Sequence, residues 1–458
     1  MGGRIVIVGG GSAHWAPSLL LDFANSPALA DSDVVLMDVD DAALKETGRL
    51  GAHIAERRSI GLRVRTSTDL DEALEDAGFV ITALSVGGFA SMRHDIEIPA
   101  RYGLRQPVGD SVGPGGISRS LRTIPVVVQV ARTMERRCPG ALMLNVSNPL
   151  TTICRAVAKE TSVPVVGLCN EVVGLQLAMS LLFDVAMHEV DPVIAGVNHL
   201  PLATSMTIAG ADGFAMLRDA LGGQLDLGAP MWLDPPPAAL RWSRRDPVGP
   251  WTKADVMENL RIKLELFSRF GVLPAASDTH VAEFLPWFVT AASDFGREWG
   301  VHQYGLATHV TDKAADVAAL SRLLAGDDLP TIPSGELVAP LLCGLVGGRE
   351  VALPMNLPNT GQVQNLPEGA VVECMGMTAA SGLRPRDSVW VPSVLGECLR
   401  RVAASQELTV EAACSGERRK VYEAVLTDPT TSIMPYEKVL SMTDELLSAT
   451  AAWLPQFT

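Results

Sequence analysis

The chain has 458 residues, 47% hydrophobic and 19% charged, which is ordinary globular composition and enough length for two or three domains. Its formal net charge of −15 argues against nucleic acid and anionic membranes, whose phosphates would repel it. The longest uncharged run, between Asp191 and Asp212, contains Asn198, His199 and Pro201, so no membrane span is expected.

Strand candidates at 4–8, 34–38, 63–66, 79–84, 141–145 and 164–168 alternate with helical patterns near 16–24, 42–57, 71–76, 117–136 and 149–160. Strands separated by crossover helices make a parallel sheet, because a tight turn cannot join parallel neighbours. The expectation is a doubly wound α/β, Rossmann-like domain over residues 1–195, with ligands beyond the carboxyl ends of its strands. After Pro192 the regularity fades. A strand-like PVIAGV leads to Asn198-His199, and the Pro/Trp-rich stretch at 231–242 reads as a loop or small insertion. Helical patterns follow at 254–270, 280–293, 312–324, 392–404 and 436–450. The segments GGREVALPMNLPNTGQVQNLP and AVVECMGMT read as strands of a small antiparallel sheet. A mixed α+β domain that binds substrate is therefore expected over 196–458.

Residues 8–15, VGGGSAHW, lie between a strand candidate and a helix candidate, the context in which a glycine turn wraps a pyrophosphate. Gly9 permits the turn, Gly11 lets the backbone approach the phosphates, and the helix N-terminus offers amides and positive potential. Asp38 ends the second strand candidate, where an acid binds ribose hydroxyls and favours NAD over NADP. Ser12, Ser85 and Asn145, at the same carboxyl edge, complete the expected cofactor contacts. His14 stands where the fingerprint wants its last glycine and reads as a helix cap. A glycine-rich turn in an enzyme using no nucleotide is the competing reading.

Residues 83–125 read as a long glycine-rich loop above the sheet. It carries Arg93, Asp95, Arg101, Gln106, Asp110 and Arg119, placed to hold a polar substrate or simply solvated. NVSNP, 145–149, adds Asn148 near the substrate. Cys169 and His199 each follow a strand candidate, and a thiolate and an imidazole there could meet on one ion. A buried cysteine and a core histidine would look the same.

In order, GGGS, GPGG with LRTIP, SNP, GLCN, NH and the stretch 406–429 resemble segments of glycoside hydrolase family 4, over nearly the whole chain. The resemblance implies a fold related to lactate and malate dehydrogenases and a homodimer or homotetramer. It also implies an NAD- and Mn²⁺-dependent glycosidase, an exception to two-carboxylate hydrolysis. Implied metal ligands are Cys169 and His199, and Asn148 is the implied substrate contact. FGVLPAASDTHVAEFLPWF, 270–288, resembles the segment with the catalytic base in some members. That makes Asp278 the base, with His280 and Glu283 beside the substrate. Asp278-Thr279-His280 equally suits a helix N-cap, and a nearby tyrosine could be the base instead.

The implied reaction oxidises sugar C3 by hydride transfer to NAD⁺, which makes the C2 proton removable. Elimination, water addition and re-reduction follow. Two features stand apart from the pattern: Asn-Glu-Val after Cys169, and GDSVGPGG, which favours the branch acting on α-galactosides and α-uronides. A 6-phospho-glucosidase, a 2-hydroxy-acid dehydrogenase and a non-catalytic NAD sensor remain as alternatives. Seven cysteines without framework spacing, and an N-terminus lacking an apolar leader, suggest a reduced, cytoplasmic protein.

Overall fold

The computed structural model describes residues 3–224, 226, 230–231, 251–379 and 382–457. The strand candidates become strands β1 (Arg4–Val8), β2 (Asp33–Met37), β3 (Arg63–Ser67), β4 (Ala77–Thr82), β5 (Leu142–Asn145) and β6 (Val165–Gly167). Helices α1 (Trp15–Asn25), α2 (Asp41–Arg58), α3 (Leu70–Ala73), α4 (Gly88–Arg101), α5 (Gly113–Arg137) and α6 (Leu150–Glu160) lie between them. The six strands pair in parallel in the order β3-β2-β1-β4-β5-β6, which is the dinucleotide-fold order. Connections leave β1 in opposite directions, so a crevice opens beyond the carboxyl ends of β1 and β4. Alternate residues serve opposite layers. Val6, Val8, Val35 and Met37 pack with Leu121 of α5 and Ile153 of α6, whereas Ile5, Ile7, Val34 and Leu36 pack with Leu19 of α1 and Leu50 of α2.

Beyond β6 come α7 (Glu171–Phe183) and a hairpin of β7 (Val190–Val197) and β8 (Leu200–Ile208). The expected separate antiparallel sheet is instead a continuation of the parallel one. Strand Ala352–Pro358 joins β6 antiparallel where Asn356 faces Gly167, and Val371–Ala379, β7, β8 and Leu273–Pro274 follow in that order. Gly167 permits the seam: a Cβ there would lie 2.3 Å from Leu150 Cδ2 and 3.0 Å from Asn356 Cβ.

Three segments differ from expectation. The stretch 83–125 is largely helical, with α4 inside it and loops over residues 83–87 and 102–112. The pattern at 254–270 is two helices, Lys253–Glu258 and Arg261–Phe270. The pattern at 280–293 is a helix, Asp278–Phe284, that stops at an extended Leu285 because Pro286 disfavours a helical residue before it. Residues 232–242, expected as a loop, lie outside the described residues. Among those described, no helix is long and apolar enough to cross a membrane.

Candidate active site

Gly9 has φ +99°, and a Cβ there would lie 2.2 Å from Ala83 O, so the turn rests directly on the backbone beyond β4. Asp38 directly follows β2 and accepts from Gly11 N–H at 3.0 Å. Ser12 Oγ accepts from Trp15 N–H at 3.1 Å and so caps α1. His14 makes no side-chain cap. Its backbone is already helical, and its Nδ1 lies 3.3 Å from Asp316 of helix Leu306–Ala325. Ser85 is exposed just beyond β4. Asn145 is fully buried: Thr82 Oγ1 donates to its Oδ1 at 2.8 Å, and its Nδ2 donates to Ser147 O at 3.0 Å. Its amide thus shapes the turn that presents Asn148.

The loop over residues 102–112 closes on the same edge. Glu283 Oε1 accepts from Val108 N–H at 2.8 Å and Gly109 N–H at 2.7 Å, fixing the backbone just before Asp110. Asp110 Oδ2 accepts from Asn148 Nδ2 at 2.9 Å, and its Oδ1 accepts from Ser111 Oγ at 2.7 Å. Ser111 Oγ also lies 2.8 Å from His199 Nδ1. His199 occupies the two-residue turn between β7 and β8 with φ +66°, a conformation uncommon outside glycine. Its ring stacks on His280 at 3.7 Å between centroids. One potential ligand atom each from Asp110, His199 and His280 lies within 4.8 Å of the others, close enough to share a cation.

The electrostatics suit such a site. Burial, reinforced by His280, pushes His199 down to about 4, leaving a neutral imidazole at pH 7. Burial works against ionising Asp110, but His199, His280, Arg119 and the Ser111 hydroxyl outweigh it and hold the carboxyl below its usual range. Burial, then the nearby Asp110, pushes Glu283 up to about 8 against its two backbone donors. Arg119 makes no ion pair among the described residues; burial lowers its guanidinium while Asp110 opposes this.

Cys169, just past β6, lies outside the group of three. Burial, with Glu373 and Glu171 nearby, pushes its thiol well above the ordinary value. Glu171 accepts from Ser277 N–H, and its other oxygen is 3.9 Å from His280 Nε2. Beneath the His199 turn, Glu373 is fully buried and accepts from Asn198 Nδ2 at 3.3 Å. Buried His280 Nδ1, Glu283 Oε2, Asn198 Oδ1 and Glu373 Oε1 have no hydrogen-bond partner among the described residues.

Asp278, expected as the base or as a cap of its own helix, turns both oxygens to a neighbouring helix instead of its own. Its Oδ2 accepts from Ile262 N–H at 2.8 Å and its Oδ1 from Lys263 N–H at 3.2 Å, while Lys263 Nζ lies 3.3 Å away. It caps the neighbouring helix Arg261–Phe270, with both oxygens engaged. Asp95 is 1% exposed and paired through both oxygens with Arg122. Arg93 is exposed on α4, 3.9 Å from Glu97. Sequence reasoning missed Ser111, Arg122, Lys263 and Glu373. Among these only Ser111 had a signal, its place beside Asp110.

Residues 4–185 match the model for family 4 glycosyl hydrolase, and 194–431 match its C-terminal domain. An alpha-galacturonidase of Thermoanaerobacterium saccharolyticum is 29% identical over 445 residues, covering 94% of this chain and 92% of the relative. An alpha-galactosidase of Bacillus subtilis is 29% identical over 463 residues, 99% of each chain. A 6-phospho-alpha-glucosidase from gut microorganisms, solved with NAD and Mn²⁺, superposes with a TM-score of 0.81 at 19% identity over 100% of both chains. With both of its halves matched in order, the chain belongs to glycosyl hydrolase family 4.

Proposed function

We propose that this glycoside hydrolase uses NAD and a divalent metal such as Mn²⁺ to cleave α-glycosides, α-uronides foremost. The observation that carries the reading is the group Asp110, His199 and His280 at the carboxyl edge of a dinucleotide-type sheet. When bound, the dinucleotide would supply a reversible two-electron oxidation and the cation a Lewis acid at the sugar hydroxyls.

The residues fit both groups. Gly9 and Gly11 form a turn too close-packed for a side chain, since a Cβ would lie 2.2 Å from Ala83 O at the first and 2.9 Å from Ala43 Cβ at the second, and Asp38 stands where ribose hydroxyls would lie. Neutral His199, with Cys169 nearby, offers the nitrogen and sulfur donors of the metal reading, and Asp110 adds an oxygen. Asn148 and Asp110 would orient the sugar, with His280 and Glu283 beside it. Arg119, a partly buried guanidinium with no ion pair among the described residues, suits an anionic substituent such as a uronate. With Asp278 engaged, Tyr304 is the better base for the C2 proton. Its ring is 4.5 Å from that of His309, which is itself coupled to Asp110 and Arg119. The division at 195/196, a homodimer or homotetramer and a cytoplasmic setting belong to the same reading, the last supported by seven free cysteines.

The test is a panel of aryl α- and β-glycosides, uronides and 6-phosphoglycosides with NAD⁺, Mn²⁺ and a thiol, each then omitted. The expected result is α-uronide cleavage that vanishes without NAD⁺ or with chelator, and deuterium from heavy water at C2 of the product. Preference for neutral α-galactosides would remove the role given to Arg119. Cleavage surviving full removal of NAD⁺, or net NADH from a hydroxy acid, would overturn the mechanism.

A further inference from the structure

Ser111 Oγ sits 2.7 Å from Asp110 Oδ1 and 2.8 Å from His199 Nδ1. Two hydrogen bonds need two hydrogens, and a hydroxyl owns one. A carboxylate can only accept, and Asp110 is already placed as an acceptor, with Asn148 Nδ2 donating to its other oxygen at 2.9 Å. The Ser111 hydrogen therefore points to Asp110, and the second hydrogen comes from the imidazole. The reverse arrangement would press two oxygens together at 2.7 Å with no hydrogen between them.

We propose that Asp110 and Ser111 form a hydrogen-bond relay that fixes His199 as its Nδ1–H tautomer and leaves Nε2 as a bare lone pair for a cation. Ser111 is then a positioning residue: it acts on the metal through the ring of His199. Three further features favour one tautomer over a mixture. Ser111 and His199 are 8% and 3% exposed, so water does not compete for the hydroxyl. The His280 ring stacks on His199 at an interplanar angle of 21° and fixes its plane. The left-handed backbone at 199 sets where that plane begins. His280 has no such relay among the described residues, where its buried Nδ1 has no hydrogen-bond partner. The two imidazoles are thus unequal, one locked and one free to choose its tautomer.

The identity of the cation rests on the function proposed above, but the tautomer does not, and the experiment separates them. Nitrogen NMR of the ¹⁵N-histidine-labelled, metal-free, full-length enzyme reads the tautomer, the His199 signals being identified by their loss in His199→Gln. The expected wild-type result is Nδ1–H. Asp110→Asn should yield a mixture, because its amide can donate to Ser111 and reverse the chain. Mn²⁺ titration followed by electron paramagnetic resonance reads the consequence. Ser111→Ala should weaken Mn²⁺ about 10- to 100-fold, the usual effect of losing a group that orients a ligand, whereas Ser111→Thr retains affinity. NAD affinity should be unchanged in both. An Nε2–H tautomer in the wild type, or Ser111→Ala binding Mn²⁺ as tightly as the wild type, overturns the relay. An Nδ1–H wild type without Mn²⁺ affinity supports the relay and removes the metal reading.

Discussion

Both oxygens of Asp278 face donors, and beside them Lys263 is 4% exposed, so each charge depends on the other to stay out of water. Asp278→Ala should cost about 3–5 kcal/mol in urea denaturation, because it strands a buried ammonium and uncaps a helix. Asp278→Asn keeps an acceptor for the cap and should lose less, with turnover per folded molecule close to the wild type. A fall in turnover of about 10²- to 10⁴-fold in a folded Asp278→Asn enzyme would restore it as the base. Asp95 follows the same logic through Arg122. In a linear sequence, an aspartate in a polar segment resembles a ligand because the cation that neutralises it lies 27 positions away for Asp95 and 15 for Asp278. Asp110 was legible because its polar company, Ser111 and a glycine-rich flank, is local, whereas its partner Asn148 is 38 positions on.

At the level of elements, the β1–α1 turn is demanding. Gly9 combines a positive φ with a backbone carbonyl 2.2 Å from where a Cβ would stand. A side chain there must displace the segment beyond β4, so backbone strain of about 1–3 kcal/mol adds to a clash that no rotamer relieves. Gly9→Ala should therefore lower both the urea midpoint and NAD affinity while leaving Mn²⁺ affinity intact, read by calorimetric titration of each. Undiminished NAD binding would detach this turn from the cofactor. Such a demand for glycine is local, which is why VGGGS could be read directly. Helix α4 could not. Its buried positions, Ser91, Met92, Asp95, Ile98 and Pro99, have helical spacing, but three of the five are polar or proline, so the apolar stripe is broken. The β7–β8 hairpin lies between these cases: both strands show apolar character, but nothing local announces a left-handed histidine in the turn.

Across the whole molecule, the six parallel strands were legible because each is its own short segment, apolar in all but the exposed edge strand β3. The antiparallel pair Ala352–Pro358 and Val371–Ala379 was legible too, but its joining to β6 was not, because Gly167 meets a strand almost two hundred residues downstream. That long-range closure buries acids which have no local signature. Glu283 and Glu373 are each pushed up to about 8 and Glu336 to about 7, in every case by burial first, from an ordinary 4.5. Between about 4.5 and 8 the fold therefore holds protons that the unfolded chain has released, and stability falls as pH rises through that window. His199 works the other way: lowered to about 4 from 6.5, it makes stability rise with pH between those values and then contributes no further slope. The decline should be steepest above about pH 6.5, where each acid still protonated in the fold contributes up to about 1.4 kcal/mol per pH unit. Urea midpoints of the metal-free enzyme should thus drop between about pH 6.5 and 8, and Glu283→Gln with Glu373→Gln should flatten that drop, since an amide is neutral in both states. Equal slopes in the wild type and the double variant would mean that these carboxyls are ionised in the fold, each with a compensating cation or hydrogen bond.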